Sequence, residues 1–221
     1  VFAQALVVRA DDGITVAANL TSQTGGISLD ADVDTDGGTL NNTAGTIIST
    51  NSNITITASD VELSGGLNSG TANITITDSA GGGIGIGNGT IAGGLNIDRT
   101  ELGNFTADDL TISSIGNVSI DAIEPNDSNN VTGVLTIAAN GSITFGDNAS
   151  TFSGLVARAD DGIIINSNLT TTTSDLDLDG DADTNADTSD NIVFAADIIV
   201  DSGGKLILAA DNGDLSSATG N

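Results

Sequence analysis

The chain has no cysteine, methionine, tryptophan, tyrosine or histidine, and only one proline in 221 residues. Without thiols there is neither a disulfide framework nor a thiolate metal site. Without histidine, no side chain is ready to move protons near neutral pH. Five phenylalanines are the only aromatics, so the ring platforms on which sugar-cleaving enzymes seat their substrate are missing. Basic residues are almost as scarce. Arg9, Arg99, Arg158 and Lys205 face 30 acids, giving a net charge of −26. Such a surface repels nucleic acid and anionic lipid. It suits divalent cations, or simple solubility outside the cell. No apolar run approaches the length that a bilayer requires, so membrane insertion is not expected.

What the chain does have is a phrase that returns. Residues 6–13 read LVVRADDG, 135–141 LTIAANG, 155–162 LVARADDG and 206–213 LILAADNG. Looser copies start at Ile27, Ile54, Ile74 and Val118. Many starts lie 20 or 21 residues apart, the mark of a solenoid whose units bury their apolar faces against one another. Within each phrase, apolar residues alternate with Thr, Ser or Asp, the pattern of a strand with one dry and one wet face. The DDG and NG steps that follow are turn signals. Second strands follow at Ile14–Val16, Ile84–Ile86, Ile143–Phe145 and Ile163–Ile165, with third segments near Leu20 and Leu169. The best helical candidate, TELGNFTADDL, is short and rich in turn formers. Strict alternation argues against disorder despite the charge. The expected fold is all-β: a right-handed parallel β-helix of about 10 coils of roughly 20–21 residues. A sandwich of hairpins ranks lower, because the phrase restarts in the same strand phase each time.

A longer repeat overlies the short one. Residues 6–36 align with 155–185 at an offset of 149, with 17 identities in 31 positions. Residues 6–154 therefore form one long unit and 155–221 a partial second copy, within one continuous segment. The stretches from 27 to 54 and from 176 to 206 are long in both copies. Both carry Asp-rich tracts, read as a loop leaving the solenoid at the same place. Counting phrase starts at 6, 27, 54, 74, 95, 118, 135 and 155 predicts seven coils per long unit. The opening VFAQA lacks a basic n-region and there is no initiator Met, so the chain reads as a fragment of a longer one. Ends without caps predict stacking onto further repeats or onto identical subunits, forming a fibre.

GGTLNNTAGTIISTNSNITITA resembles the repeats of filamentous-haemagglutinin-type exoproteins. GGLNIDRTELGNFTADDLTISSIGNVSIDAI resembles a segment of giant bacterial β-strand-repeat surface proteins. The resemblance implies a right-handed parallel β-helix, export across the cell envelope, and service as an adhesin or filament shaft. It brings no catalytic residues.

Candidate sites are few. Asp32, Asp34 and Asp36 in DVDTDG match the first half of a calcium loop, but Thr43 stands where the closing Glu should be. DLDLDG supplies Asp175, Asp177 and Asp179 in the same half-motif, with Leu176 and Leu178 placed as inward strand residues. Solvated Asp rows are the plainer reading of both. Register sets Arg9 beside Asp30 and Arg158 beside Asp179 on the neighbouring coil. Twelve Asn-X-Ser/Thr sequons, from Asn19 to Asn168, are possible glycan sites, although Asn at a coil corner already has a turn role. Thr55/Thr57 and Thr75/Thr77 resemble the hydroxyl arrays of ice-binding solenoids, yet Thr is also the ordinary outward residue of a strand. The function expected is a non-catalytic extracellular shaft. The alternatives are a β-helix polysaccharide-cleaving enzyme or a calcium-dependent carbohydrate-binding adhesin module.

Overall fold

Alternating Ile, Leu and Val along short strands leave one apolar edge per strand, and the chain buries it by winding. In the computed structural model, which describes residues 1–185 and 189–218, the result is a parallel β-helix. Its first face is a nine-stranded parallel sheet: Leu6–Arg9, Ile27–Asp30, Ile54–Ala58, Ile74–Asp78, Leu110–Ser114, Leu135–Ala139, Leu155–Ala159, Leu176–Asp179 and Leu206–Ala209. The second face is built from Ile14–Val16, Thr39–Asn42 and Asp60–Leu63, then from a seven-stranded sheet that ends at Leu215–Ser217. The third face is shorter, with four strands near the start (Leu20–Ser22 to Phe105–Thr106) and three from Ser150–Phe152 to Val200–Ser202.

Inward residues stack like on like. Leu6, Ile27, Ile54, Ile74, Leu110, Leu135, Leu155, Leu176 and Leu206 form one column along the first face. The interior is one continuous apolar cluster that also takes up Phe105, Phe145 and Phe152. Coil corners are fastened by side chains. The Oδ1 atom of Asn53 accepts from the backbone N–H of Asn73, Asn73 Oδ1 accepts from Asp109, and Asp109 Oδ1 accepts from Val134. Asn19, Asn117 and Asn168 do the same for Thr46, Ser142 and Ile199. Inward hydroxyls close the third corner: Ser22, Ser69, Thr171 and Ser202 each donate to the carbonyl three residues on. This satisfies buried polar groups that would otherwise be costly.

Two expectations need correction. Six strand steps, not seven, separate Leu6 from Leu155 on the first face, an axial distance of about 29 Å at about 4.8 Å per step. The starts at Leu95 and Val118 belong to the second face, where Ile84 pairs with both. The first-face strand of that coil is Leu110–Ser114, which the phrase count skipped. The coil from Ile74 to Leu110 is long because the chain doubles back. After Ile84–Gly87 a glycine-rich bend returns it to the second face at Leu95–Ile97, on the other side of Ile84. A Cβ on Gly82 would lie 2.4 Å from the Gly93 carbonyl oxygen, and one on Gly94 would lie 2.3 Å from that of Gly83. Only glycine permits that approach. The first face has nine strands in all.

The same detour carries a one-turn helix, Arg99–Gly103. Asp98 and Glu101 form its capping box. Glu101 Oε1 also accepts from the Leu63 N–H, and Asn104 donates to the Leu63 carbonyl, so the helix plugs onto the end of the Asp60–Leu63 strand. The D-x-x-E spacing was the available signal for it. Among the described residues, no helix is long and apolar enough to cross a membrane.

Candidate cation loops and the outward faces

The phrase LVxRADDG places its Arg outward, one residue before an inward Ala. Parallel pairing one coil on puts Asp30 opposite Arg9 and Asp179 opposite Arg158. Arg9 Nε and Nη2 both reach Asp30 Oδ2 at 3.2 Å. Arg158 Nη1 lies 2.7 Å from Asp179 Oδ2, and its Nη2 lies 3.2 Å from Asp177 Oδ2. The predicted pairs are present, and Asp177 adds a third carboxylate that register alone did not single out. Arg99 on the detour helix is held by Glu124 and Asp127, both at 2.7 Å.

The two Asp half-motifs differ in kind. Asp32, Asp34 and Asp36 lie in the loop between the first and second faces, where their carboxylate oxygens come within 4.8 Å of one another. Asp32 is buried. Its Oδ1 accepts from the Gly37 N–H and its Oδ2 from the Ser79 hydroxyl two coils on. Burial works to raise its pKa, but these hydrogen bonds outweigh burial and hold it below the usual carboxylate value. Asp34 and Asp36 are exposed, and the negative charge of Asp34 raises the Asp36 pKa. These three residues could hold one divalent cation. With both Asp32 oxygens engaged by protein donors, the free oxygens come from Asp34 and Asp36, few against the six to eight that calcium takes.

Asp175, Asp177 and Asp179 do not form such a loop. Leu176–Asp179 is a strand with Leu176 and Leu178 buried, as expected, so its acids alternate outward instead of converging. Asp175 sits at the corner and accepts from the Lys205 N–H, while Asp177 and Asp179 grip Arg158. The structural counterpart of DVDTDG is Asp181-Ala-Asp183-Thr-Asn185, at the 149-residue offset. Thr35 and Thr184 share a positive φ of 64° and 59°, and Asp32 and Asp181 are both buried. The offset alignment carried this signal, but the half-motif pattern pointed six residues too early. Residues 186–188 lie outside the described residues.

Outward hydroxyls extend further than sequence spacing indicated. Thr55 and Thr75 continue into Thr111 and Thr136, and Thr57 and Thr77 into Ser113. The 36-residue detour between Thr75 and Thr111 hides that continuity in the sequence. A groove of about 440 Å³ runs beside Val156, Ser174, Asp175, Asp177 and Ile207. Its two acids are the ones already engaged by Lys205 and Arg158.

No protein-family description, curated protein sequence or solved structure matches the chain.

Proposed function

We infer that this chain is a length of non-catalytic extracellular shaft, part of an adhesive or matrix filament at a cell surface. The observation that carries this reading is the long parallel stack with a dry, continuous interior. Its outward acids serve corners, ion pairs and solvation, and the chain has no histidine, the side chain that most often moves protons near neutrality. A rod of this kind keeps its strands in register over its length and resists lateral aggregation through its charge. The sequons and the acidic exterior fit an exported protein that can carry glycans. Incubating the purified chain with neutral and acidic polysaccharides, with and without calcium, should release no new chain ends. Reproducible cleavage would sink the shaft reading in favour of the enzyme. The Asp32–Asp34–Asp36 cluster favours the calcium-dependent carbohydrate-binding alternative. That module would retain glycans in calcium and release them on chelation, whereas a plain shaft retains none in either state.

A further inference from the structure

One stretch of the molecule differs from the rest of its surface in carrying no charge. Along the first face, between the Arg9–Asp30 pair and the Arg158–Asp179 pair, four consecutive strands turn only Thr, Ser and Ala outward. Thr55, Thr75, Thr111 and Thr136 fill one column, and Thr57, Thr77 and Ser113 lead to Ala138 in the next. The chain has 30 acids in 221 residues, yet none enters these eight positions. The bounding arginines are neutralised by Asp30 and Asp179. The stretch lies in the middle of the sheet, so paired strands fix it from both sides.

Thr is a common outward residue of strands, but the strands of this chain do not require it. The outward column of the second face reads Gly85, Ser119, Thr144, Ile164 and Val193. The hydroxyls differ also in what they touch. Those at the corners are spent on the protein, as with Thr171 and Thr172. None of the seven first-face hydroxyls has a protein hydrogen-bond partner among the described residues, and their side chains reach solvent. Each keeps a donor and an acceptor open to the outside.

The array is regular in two directions. Parallel pairing sets neighbours in a column about 4.8 Å apart, and alternate residues along a strand lie about 6.6 Å apart. Branching at Cβ restricts χ1, and the backbone bonds of paired strands hold the rows in place, so methyls and hydroxyls form a stiff grid. A ligand that fits it is neutral, flat, periodic at both spacings, and able to donate and accept at each point. A protein partner needs about 800 Å² and aromatic or Arg anchors, whereas this grid is smaller and offers Thr, Ser and Ala. A dissolved glycan chain would lose conformational freedom here without ring stacking in return. Water molecules in ice repeat at nearly these two spacings, within the basal plane and along the axis normal to it, and each both donates and accepts. We propose that the Thr55–Ala138 grid of the first face binds ice, holding a layer of water that joins the crystal. This activity goes beyond the shaft reading and does not depend on it.

The test is capture by ice grown slowly on a cold probe in a dilute solution of the 1–221 chain, with protein measured in the ice and in the remaining liquid. The parent should be enriched in the ice relative to an acidic control protein, and should slow recrystallisation in a frozen sucrose solution. Four strands are a short array, so these two effects are expected rather than a wide gap between freezing and melting. Thr111→Tyr sets a ring across the grid without touching the core and should lose both effects. Thr75→Lys, which places a hydrated charge in the same column, should lose them too, so the result does not rest on the folding of one variant. Thr144→Tyr, outward on the second face, should keep them. Circular dichroism and melting establish that each variant is folded. A parent excluded from ice as fully as folded Thr111→Tyr would overturn the proposal. So would loss of capture in Thr144→Tyr with capture retained in Thr111→Tyr and Thr75→Lys, because another face would then meet the ice. Either result leaves the shaft reading standing, since polysaccharide cleavage tests that separately.

Discussion

The loop at Asp32 and its counterpart at Asp181 share sequence, position and backbone, yet their buried carboxylates are served differently. Asp32 has both oxygens engaged, by Gly37 and by Ser79. Asp181 Oδ2 takes the Asn212 backbone and side-chain N–H groups, while its buried Oδ1 has no hydrogen-bond partner among the described residues. The arginines of the two copies diverge likewise. Arg9, on the edge strand, meets one carboxylate, whereas Arg158, flanked by coils on both sides, meets two, because Asp177 stands where the first copy has Ser28. Repeating a sequence reproduces the backbone. The partners of a side chain come from the coils above and below, and those are not repeated.

The sharpest test of this comparison sets the two leucine positions side by side. Leu155 has coils on both sides and is fully buried, whereas Leu6 is only partly buried at the edge. Leu155→Ala should cost about 2–5 kcal/mol of unfolding free energy in a denaturant titration, in line with buried Leu→Ala changes. Leu6→Ala should cost about 1–2 kcal/mol, because part of that side chain already meets solvent. Equal losses would show that the edge coil is covered in solution.

The carboxylates come next. Asp32→Ala leaves the Gly37 N–H and the Ser79 hydroxyl without their acceptor and should destabilise by about 1–3 kcal/mol. Asp181→Asn keeps an oxygen for Asn212 and removes a buried charge. It should change stability by no more than about 0.5 kcal/mol. A large loss from Asp181→Asn would mean that its second oxygen holds something in solution, and a calcium titration of the melting temperature would then identify a cation.

Smaller effects are expected at the arginines. Arg158→Ala should cost up to about 1 kcal/mol and Arg9→Ala about 0.2–0.5 kcal/mol, both shrinking in salt, since exposed ion pairs are screened.

The smallest signal is in pH. The Asp36 carboxyl is held above the ordinary value by the charge of Asp34. Asp160 is raised by burial and then by Asp183, Asp161 and Asp179, and Glu101 by burial. A carboxyl with a raised folded pKa favours folding once protonated, so these three add stability as pH falls from neutral into the carboxylate range. Asp32, with a lowered pKa, acts in the opposite sense. Its contribution is present above the unfolded value and is lost as pH falls through the folded one. The melting temperature should therefore rise slightly on mild acidification and fall at lower pH. A monotonic decline from neutral would show that Asp32-type carboxylates dominate throughout.

Much was legible in advance because period-two alternation and a fixed repeat act locally. The strand class, the inward columns, the turn glycines Gly13 and Gly162 with their positive φ, and the partners of Arg9 and Arg158 all follow from knowing that each coil lies on the last. The candidate cation cluster at Asp32, Asp34 and Asp36 was legible for the same reason, as three acids in one short loop. Asp175, Asp177 and Asp179 repeat the half-motif, but alternation with Leu176 and Leu178 commits that stretch to a strand, so its acids line an outer face, as the alternation predicted.

The sequence by itself determined that this chain winds into a stack of parallel strands, because its apolar residues can be buried only against neighbouring coils. Which strand lies on which face across the Ile74–Leu110 detour was decided by tertiary structure alone. There the chain reverses along the axis on glycines whose backbones touch, and no local pattern encodes a contact between coils. The same holds for the Asn53–Asn73–Asp109 corner ladder and for the hydroxyl of Ser79 on Asp32. Each joins residues that become neighbours only once the coils have been counted correctly.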